Sequence, residues 1–232
     1  MSKIASSTPA SLAKKIAYVY NQSMEDTAKI NLIKTWLGSG SVNIFGTPFA
    51  GKDTVGNKIA GILDAEFLSS GDIIRSNSEK FSQKAVKDVN NGALLPTDQF
   101  RDIVLPYFGS KTIEGRPLVL SSVGRWEGEE YPTMNTLIKY GHPTKVVLVL
   151  DLSQAEVLQR WKIAMESESR TTRKDDATEK IIKRRIKEFE GKTQPVIDFY
   201  ARLGLAYKIN AAQSREKVLE DCLATLFYLA KQ

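Results

Sequence analysis

Short apolar runs alternate with amphipathic stretches along most of this chain. Residues 42–45 form such a run, and a Gly/Pro-containing loop and a helical stretch from Lys52 follow it directly. Further apolar runs occur at residues 118–120, 145–150 and 206–209, with room for helices between them. Strands separated by helices form right-handed βαβ crossovers in a parallel sheet. We therefore predict a three-layer α/β fold with a parallel sheet.

The first forty residues have a helical pattern of their own. Thr8 and Pro9 suit a helix start, with apolar residues following at helical spacing, and a second helix is predicted over residues 24–37 before glycines at 38 and 40. We predict that residues 1–40 are an N-terminal helical extension and that residues 41–232 are the main domain. The extension is expected to serve packing or self-association; a catalytic role is the alternative.

Composition and charge narrow the functional classes. The 232 residues are 42% hydrophobic and 26% charged, as in a folded globular protein, and the net charge of +6 favours contact with phosphates. The basic residues are interleaved with acidic ones, which argues against nucleic acid as the partner. Cys222 is the single cysteine, and no apolar run approaches the ~20 residues of a membrane span. We expect a cytoplasmic protein without membrane contact; Lys14 and Lys15 in an amphipathic segment leave organelle import as the alternative.

A glycine-rich loop follows the first predicted strand. Residues 46–52 fit the pattern G-x-x-x-x-G-K, and a hydroxyl residue, Thr54, comes two positions after Lys52. Between a strand and a helix, the backbone N–H groups of such a loop converge on a phosphate while the lysine supplies a positive charge. A chance turn before a helix is the alternative, but the order of strand, loop, lysine and helix favours a phosphate site.

This loop resembles G-x-P-G-[SA]-G-K-G-T, the form found in adenylate kinases and other nucleoside monophosphate kinases, with Phe49 and Asp53 in place of two glycines. The resemblance extends from about residue 43 to the C terminus. It implies a P-loop NTPase fold with a helical acceptor-binding insert at about 70–105 and a short lid at about 163–176. It also implies that ATP is the phosphoryl donor and is bound by Gly46, Ala50, Gly51, Lys52, Asp53, Thr54 and Arg160.

Two further segments are similar to the family's acceptor-binding motifs. Residues 68–75 resemble S-[ST]-G-D-[ML]-[LI]-R, which implies that Ser70 and Arg75 hold the acceptor phosphate. Residues 92–98 resemble G-x-L-V-[PT]-D, which implies that Leu95 lines the base pocket. Residues 119–125 stand where the family has L-D-G-F-P-R, and the surviving Arg125 is expected to grip the acceptor phosphate.

Base recognition departs from the family. The glutamine that reads adenine in adenylate kinases, four residues after the arginine, is Glu129 here. A carboxylate can only accept hydrogen bonds, so it suits the guanine edge better than the adenine edge. We expect a weaker preference for AMP, with GMP accepted; the alternative is that Trp126 and Gly128 reshape the loop and Glu129 points to solvent.

The C-terminal half carries the remaining arginines. Arg160 resembles the residue that packs on the donor adenine. Residues 173–176 resemble the lid signature R-x-D-D, so Arg173 is expected to clamp the transferring phosphoryl group. In the family one arginine of this helix reaches the phosphates: counting back from the T-x-P element selects Arg185, whereas counting forward from Arg173 selects Arg184. We predict Arg185 for the phosphates and expect Arg184 on the solvated side.

Three acidic positions have open roles. Asp175 and Asp176 either form a charge pair at a helix N-terminus or pair with arginines. The strand-end aspartate that orders Mg²⁺ in the family is replaced by Ser121. Asp53, directly after Lys52, offers a carboxylate oxygen of the kind that Mg²⁺ prefers, so we expect it to compensate as the metal ligand.

Together, the residues and the resemblance predict a Mg²⁺-dependent phosphotransferase that moves the γ-phosphoryl group of ATP to a nucleoside monophosphate, with AMP the first choice. The alternatives are GMP, CMP or UMP as acceptor, or a catalytically silent nucleotide-binding module, which the departures at Phe49, Asp53, Ser121 and Ala164 favour. We expect a monomer, with the N-terminal helices as a route to self-association. The catalytic residues are predicted to be Lys52, Arg125, Arg173 and Arg185.

Overall fold

The computed structural model describes residues 12–14, 16, 26–167 and 174–232. The predicted helix that begins at Thr8 therefore falls mostly outside the described residues. In chain order the helices and strands are α1 (Asp26–Leu37), β1 (Ser41–Gly46), α2 (Lys52–Leu63), β2 (Glu66–Ser69), α3 (Ser70–Ser76), α4 (Gln83–Asn90), α5 (Thr97–Gln99), β3 (Leu118–Ser121), α6 (Glu130–Lys139), β4 (Thr144–Asp151), α7 (Gln154–Glu166), α8 (Glu179–Glu188), α9 (Gln194–Arg202), β5 (Ala206–Asn210) and α10 (Arg215–Ala230).

The five strands form one parallel sheet in the order β2-β3-β1-β4-β5. All six residues of the central strand β1 are buried, and β4 contributes a continuous buried run at residues 146–150. Helices cover both faces of this sheet and supply the apolar side chains that such strands require. The predicted α/β fold with a parallel sheet is confirmed. Strand β2 was not predicted, because its short sequence EFLS is only half-buried at the sheet edge and carries a weak periodic signal.

Helix α1, from the predicted N-terminal extension, packs into the main core. Its Ile33 and Leu37 are each 1% exposed and belong to the same apolar cluster as Leu226 and Phe227 of α10. Burying side chains of this size stabilises a fold by roughly 1.5–3 kcal/mol each. The described part of the extension thus contributes to the stability of the domain.

A buried asparagine links the central strand to the loop after β3. The side-chain amide of Asn43 donates to the carbonyl of Val123 at 2.8 Å, and Val123 N donates back to Asn43 Oδ1 at 3.3 Å. Asn43 is 1% exposed, so both of its polar groups need such partners. These bonds fix the position of the loop that carries Arg125.

Several short turns complete the chain between the regular elements. They comprise 3-10 turns at Ser78–Lys80, Leu105–Gly109, Lys111–Ile113 and Lys174–Asp176, and π-helical turns at Phe100–Val104 and Phe189–Thr193. The segment from α3 to the turn at 105–109 has a separate apolar cluster around Phe81, Phe100 and Phe108. No helix among the described residues is long and apolar enough to cross a membrane.

Candidate active site

The carboxyl ends of the parallel strands meet at one edge of the sheet, where open α/β sheets bind ligands. There β1 ends at Gly46 and α2 begins at Lys52. A Cβ at Gly46 would stand 2.7 Å from the carbonyl oxygen of Leu150, so only glycine allows the loop to leave β1 at this angle. Gly51 caps α2 with a φ of 89°, and Phe49 also takes a left-handed φ of 61°. The loop therefore keeps a phosphate-loop conformation although Phe49 replaces a glycine.

A cleft of about 540 Å³ opens in front of this loop and brings most of the predicted site residues together. Lys52 and Asp53 lie on the loop side, Ser70 and Arg75 on α3, Arg125 after β3 and Arg185 on α8. Ala50 is buried and Thr54 is exposed, and neither lines the cleft. Arg173 lies outside the described residues. Lys52 Nζ donates to the carbonyl of Thr47 at 2.8 Å.

Arg185 is held in the cleft by two aspartates. Its guanidinium pairs with Asp175 at 3.3 Å and with the fully buried Asp176. Both aspartates precede α8, whose N-cap is Thr178, so they pair with the arginine and do not form a charge pair in the first helical turn. Trp161 Nε1 donates to the carbonyl of Asp176 at 2.8 Å and so supports this turn from α7. The neighbouring Arg184 is exposed.

Arg125 lies in a repulsive electrostatic environment. Burial, and next the positive charge of Arg185, lower the pKa of Arg125 to about 10. Placing two positive charges close together costs electrostatic free energy. An anionic ligand bound between them lowers this cost. The arginines therefore favour a phosphate-bearing ligand in the cleft.

Asp53 and Ser121 contact each other at the base of the cleft. Ser121 Oγ donates to Asp53 Oδ1 at 2.7 Å, between the start of α2 and the end of β3. Both groups are hard oxygen donors and both line the cleft. No cluster of three acidic, histidine or cysteine ligands exists among the described residues. This donor set fits a metal that is bound mainly through the phosphates of a nucleotide and one protein carboxylate, as Mg²⁺ is.

On the acceptor side, two predicted residues have intramolecular partners. Ser70 Oγ donates to the carbonyl of Ser122 at 2.7 Å, so its hydroxyl can only accept from further groups. Arg75 pairs with Asp72 one turn earlier in α3, and its side chain is 41% exposed. Ser69 is the N-cap of α3. Arg75 thus remains within reach of the cleft at its open side.

Glu129 does not point to solvent, and that alternative prediction is wrong. The residue is 2% exposed, and its Oε2 accepts from the backbone N–H groups of Arg125 at 2.8 Å and Trp126 at 3.0 Å. The physical reason is that the loop's buried N–H groups need an acceptor. Oε1 is buried as well, and Glu129 lines a small cavity together with Leu95. Burial raises the pKa of Glu129.

Arg160 lies behind the phosphate loop and is not among the residues that line the cleft. It donates to the carbonyl of Phe49 at 3.2 Å and to the carbonyl of Ala211 after β5. It therefore holds the loop against the β5–α10 connection. Its planar group adjoins the loop on the donor side.

Sequence reasoning missed a group of cleft residues on α8 and the turn after it. Glu188, Phe189 and Thr193 line the cleft opposite Val86, Val89 and Asn90 of α4. Only Thr193 lay in a recognisable pattern, the T-x-P element. Glu188 and Phe189 belong to an amphipathic helix and a π-helical turn that continues it, and neither carries a motif.

Comparison with known proteins places this site in a family. A family model described as AAA domain matches residues 45–183, more than half of the chain. The adenylate kinase of Phocaeicola vulgatus is 27% identical over 190 residues, which cover 80% of this chain and 97% of that protein. Adenylate kinase isoenzyme 1 of Homo sapiens is 27% identical over 183 residues, covering 77% of this chain and 89% of that protein. The adenylate kinase of Encephalitozoon cuniculi is 27% identical over 184 residues, covering 77% and 93%. The chain therefore belongs to the AAA domain family and is a divergent P-loop phosphotransferase of the adenylate kinase-like kind.

Proposed function

We propose that this enzyme transfers the γ-phosphoryl group of ATP to a nucleoside monophosphate, with Mg²⁺ on the nucleotide and AMP as the first acceptor. The observation that carries the proposal is the convergence of Lys52, Arg75, Arg125 and Arg185 on one cleft in front of a phosphate loop. The similar proteins named above are adenylate kinases, which supports AMP as the acceptor.

The donor phosphates would lie against the loop at residues 46–51. Backbone N–H groups that point out of the start of α2, together with the positive end of its dipole, attract anionic oxygens there. Lys52 Nζ already lies over the loop through its bond to Thr47 and needs only a small movement to reach a phosphate. Arg160 would hold the donor side of the loop in place through Phe49.

Asp53 is the proposed protein ligand for Mg²⁺, with the Ser121 hydroxyl beside it. When bound, Mg²⁺ neutralises phosphate charge and orients the donor phosphates. Asp53 then orients the metal-bound nucleotide relative to Lys52, since the two side chains are adjacent at the start of α2. Ser121 would hold the Asp53 carboxylate in the orientation that faces the cleft.

The acceptor phosphate would lie between Arg75 and Arg125, with Arg185 nearest the transferring group. Phosphoryl transfer spreads negative charge over the equatorial oxygens and needs positioned cations more than a protein nucleophile. Asp175 and Asp176 hold the Arg185 guanidinium at the cleft before substrate arrives. We also propose that Arg173, which directly precedes the turn Lys174–Asp176 in the sequence, binds the transferring phosphoryl group together with Arg185.

The acceptor base would contact Leu95 and the buried carboxylate of Glu129. A carboxylate oxygen accepts but cannot donate, so it favours a base edge that carries N–H groups. Guanine presents two such groups on the edge where adenine presents one and a lone pair. We therefore propose a weaker AMP preference, with GMP as a competing acceptor.

The single cysteine bears on the compartment in which the enzyme works. The buried Cys222, whose thiol has a pKa raised by burial to about 12, is unreactive and suits a reducing compartment. We propose a monomeric cytoplasmic enzyme.

The test is a coupled assay of nucleoside diphosphate formation from ATP with AMP, GMP, CMP and UMP, with and without Mg²⁺. The proposal requires Mg²⁺-dependent turnover of at least one acceptor. If no acceptor is phosphorylated while calorimetry still detects nucleotide binding, the chain is a silent nucleotide-binding module and the proposal is wrong.

A further inference from the structure

We infer that Lys192 is a positioning residue for the acceptor side of the cleft, because it connects the loop that carries Arg125, through Glu188, to Leu94 in the predicted acceptor-binding insert. This inference rests on the proposed function for its meaning in catalysis. The contacts themselves are independent of it.

Lys192 makes two contacts from the π-helical turn Phe189–Thr193. Its Nζ lies 3.8 Å from the centroid of the Trp126 ring, close enough for a strong cation–π interaction. The same Nζ pairs with the carboxylate of Glu188 one turn earlier. One ammonium group thus joins an aromatic ring on one loop to a carboxylate on α8.

Glu188 extends the connection to a third segment. Its Oε2, which receives Lys192, also accepts from the backbone N–H of Leu94 at 3.5 Å. Leu94 lies between α4 and α5, within the predicted acceptor-binding insert, and both Leu94 and Glu188 line the cleft. We call the set Leu94, Trp126, Glu188 and Lys192 the clasp.

The clasp acts next to a phosphate-binding residue. Trp126 directly follows Arg125, and the N–H groups of both residues are held by Glu129. The ring of Trp126 is fixed on one side by Lys192, while its Nε1 is buried and finds no partner in the described chain. The contact with Lys192 therefore restrains the orientation of the ring, next to the backbone of Arg125 and Trp126 that Glu129 holds.

The partial burial of the clasp strengthens these contacts. The side chain of Lys192 is 30% exposed and that of Glu188 is 16% exposed, so water competes less for them than for a surface pair. Lys192 itself does not line the cleft, so it acts through Trp126 and Glu188 and is not a catalytic residue.

Kinetic measurements on Lys192→Met, a variant of similar length without charge, test the positioning role. We expect the acceptor KM to rise about fivefold or more, while the ATP KM stays within about twofold. Lys192→Arg keeps the cation and should restore the acceptor KM to within about twofold of wild type. The matched control is Lys187→Met, which removes the same charge from an exposed site on α8 and should leave both constants unchanged.

Amide hydrogen exchange without nucleotide tests the clasp independently of activity. In Lys192→Met, exchange should be at least about threefold faster in segments 93–95 and 124–127, but not in Lys187→Met. Unchanged exchange in both segments overturns the inference whatever the activity. An acceptor KM equal to wild type also overturns it, as does a Lys192→Arg variant no better than Lys192→Met. If the wild type phosphorylates no acceptor, the proposed function fails and the exchange result alone decides whether the clasp exists.

Discussion

The hydroxyl of Ser121 donates a hydrogen bond to Oδ1 of Asp53 at 2.7 Å, which joins the end of β3 to the first turn of α2. Both residues depart from the pattern of the adenylate kinases that the sequence resembles. Ser121 stands where that pattern has an aspartate, and Asp53 stands where it has a glycine. Their contact places the Asp53 carboxylate against the end of β3, where the resembled pattern has its aspartate. The proposed metal site therefore has one carboxylate at this point, supplied by Asp53.

Asp53→Asn should raise the Mg²⁺ concentration that gives half-maximal activity by about fivefold or more, because the amide removes the anionic ligand but keeps the shape. The measurement is a Mg²⁺ titration of the kinase assay at fixed ATP. Asp64→Asn is the control: Asp64 caps the far end of α2 with a φ of 57°, which asparagine tolerates. A titration unchanged in Asp53→Asn would remove this residue from the metal site.

Arg185→Lys should lower kcat by about tenfold or more. Lysine can still neutralise the buried Asp176, so the fold is expected to survive, but it lacks the planar fork that matches phosphate oxygens. Arg184→Lys makes the same change at the exposed neighbouring position and should leave kcat within about twofold. Equal kcat values for the two variants would contradict the assignment of Arg185 to the phosphates.

Glu129→Gln should raise Tm at pH 7 to 8. Burial raises the pKa of Glu129 in the folded protein. Above this pKa the buried negative charge destabilises the folded protein, and this destabilisation disappears as the carboxylate is protonated at lower pH. The gain in Tm over wild type should therefore shrink at acidic pH. Melting curves at several pH values check this, with the exposed Glu114→Gln as the control. A gain that grows on acidification would reverse the sign and refute the argument.

The same substitution should shift kcat/KM toward AMP relative to GMP. Glutamine can donate to the adenine ring nitrogen, and a mismatch that leaves buried polar groups unpaired costs ~1–3 kcal/mol, or roughly 5- to 150-fold. Glu130→Gln changes the second carboxylate of the loop, which accepts from Gly128 N, and should leave the ratio alone. An identical AMP-to-GMP ratio in wild type and Glu129→Gln would mean that Glu129 only holds its loop.

Local sequence patterns were sufficient to predict the parts of the fold in which burial follows a regular pattern along the chain. The buried runs of β1, β3 and β4 and the loop before Lys52 could be predicted, because burial and the turn leave a mark at each position. Both edge strands are only partly buried: β5 could be predicted from its short run at residues 206–209, whereas the four residues of β2 carry no such run. The two bonds of Glu129 to the loop, and the contact of Lys192 with Trp126 across 66 positions, depend on tertiary placement that no local pattern encodes.

Lys52→Ala tests the central claim that phosphoryl transfer occurs in the cleft before the phosphate loop. Removing the lysine that we propose binds the donor phosphates should cost about 2.7 kcal/mol or more of transition-state stabilisation, which corresponds to at least about a 100-fold fall in kcat. Lys58→Ala, on the exposed face of the same helix, controls for the loss of charge and should behave as wild type. The measurement is kcat for nucleoside diphosphate formation at saturating ATP, Mg²⁺ and acceptor. A fall of at least about 100-fold in Lys52→Ala alone is the predicted result, whereas turnover within about tenfold of wild type would contradict the account.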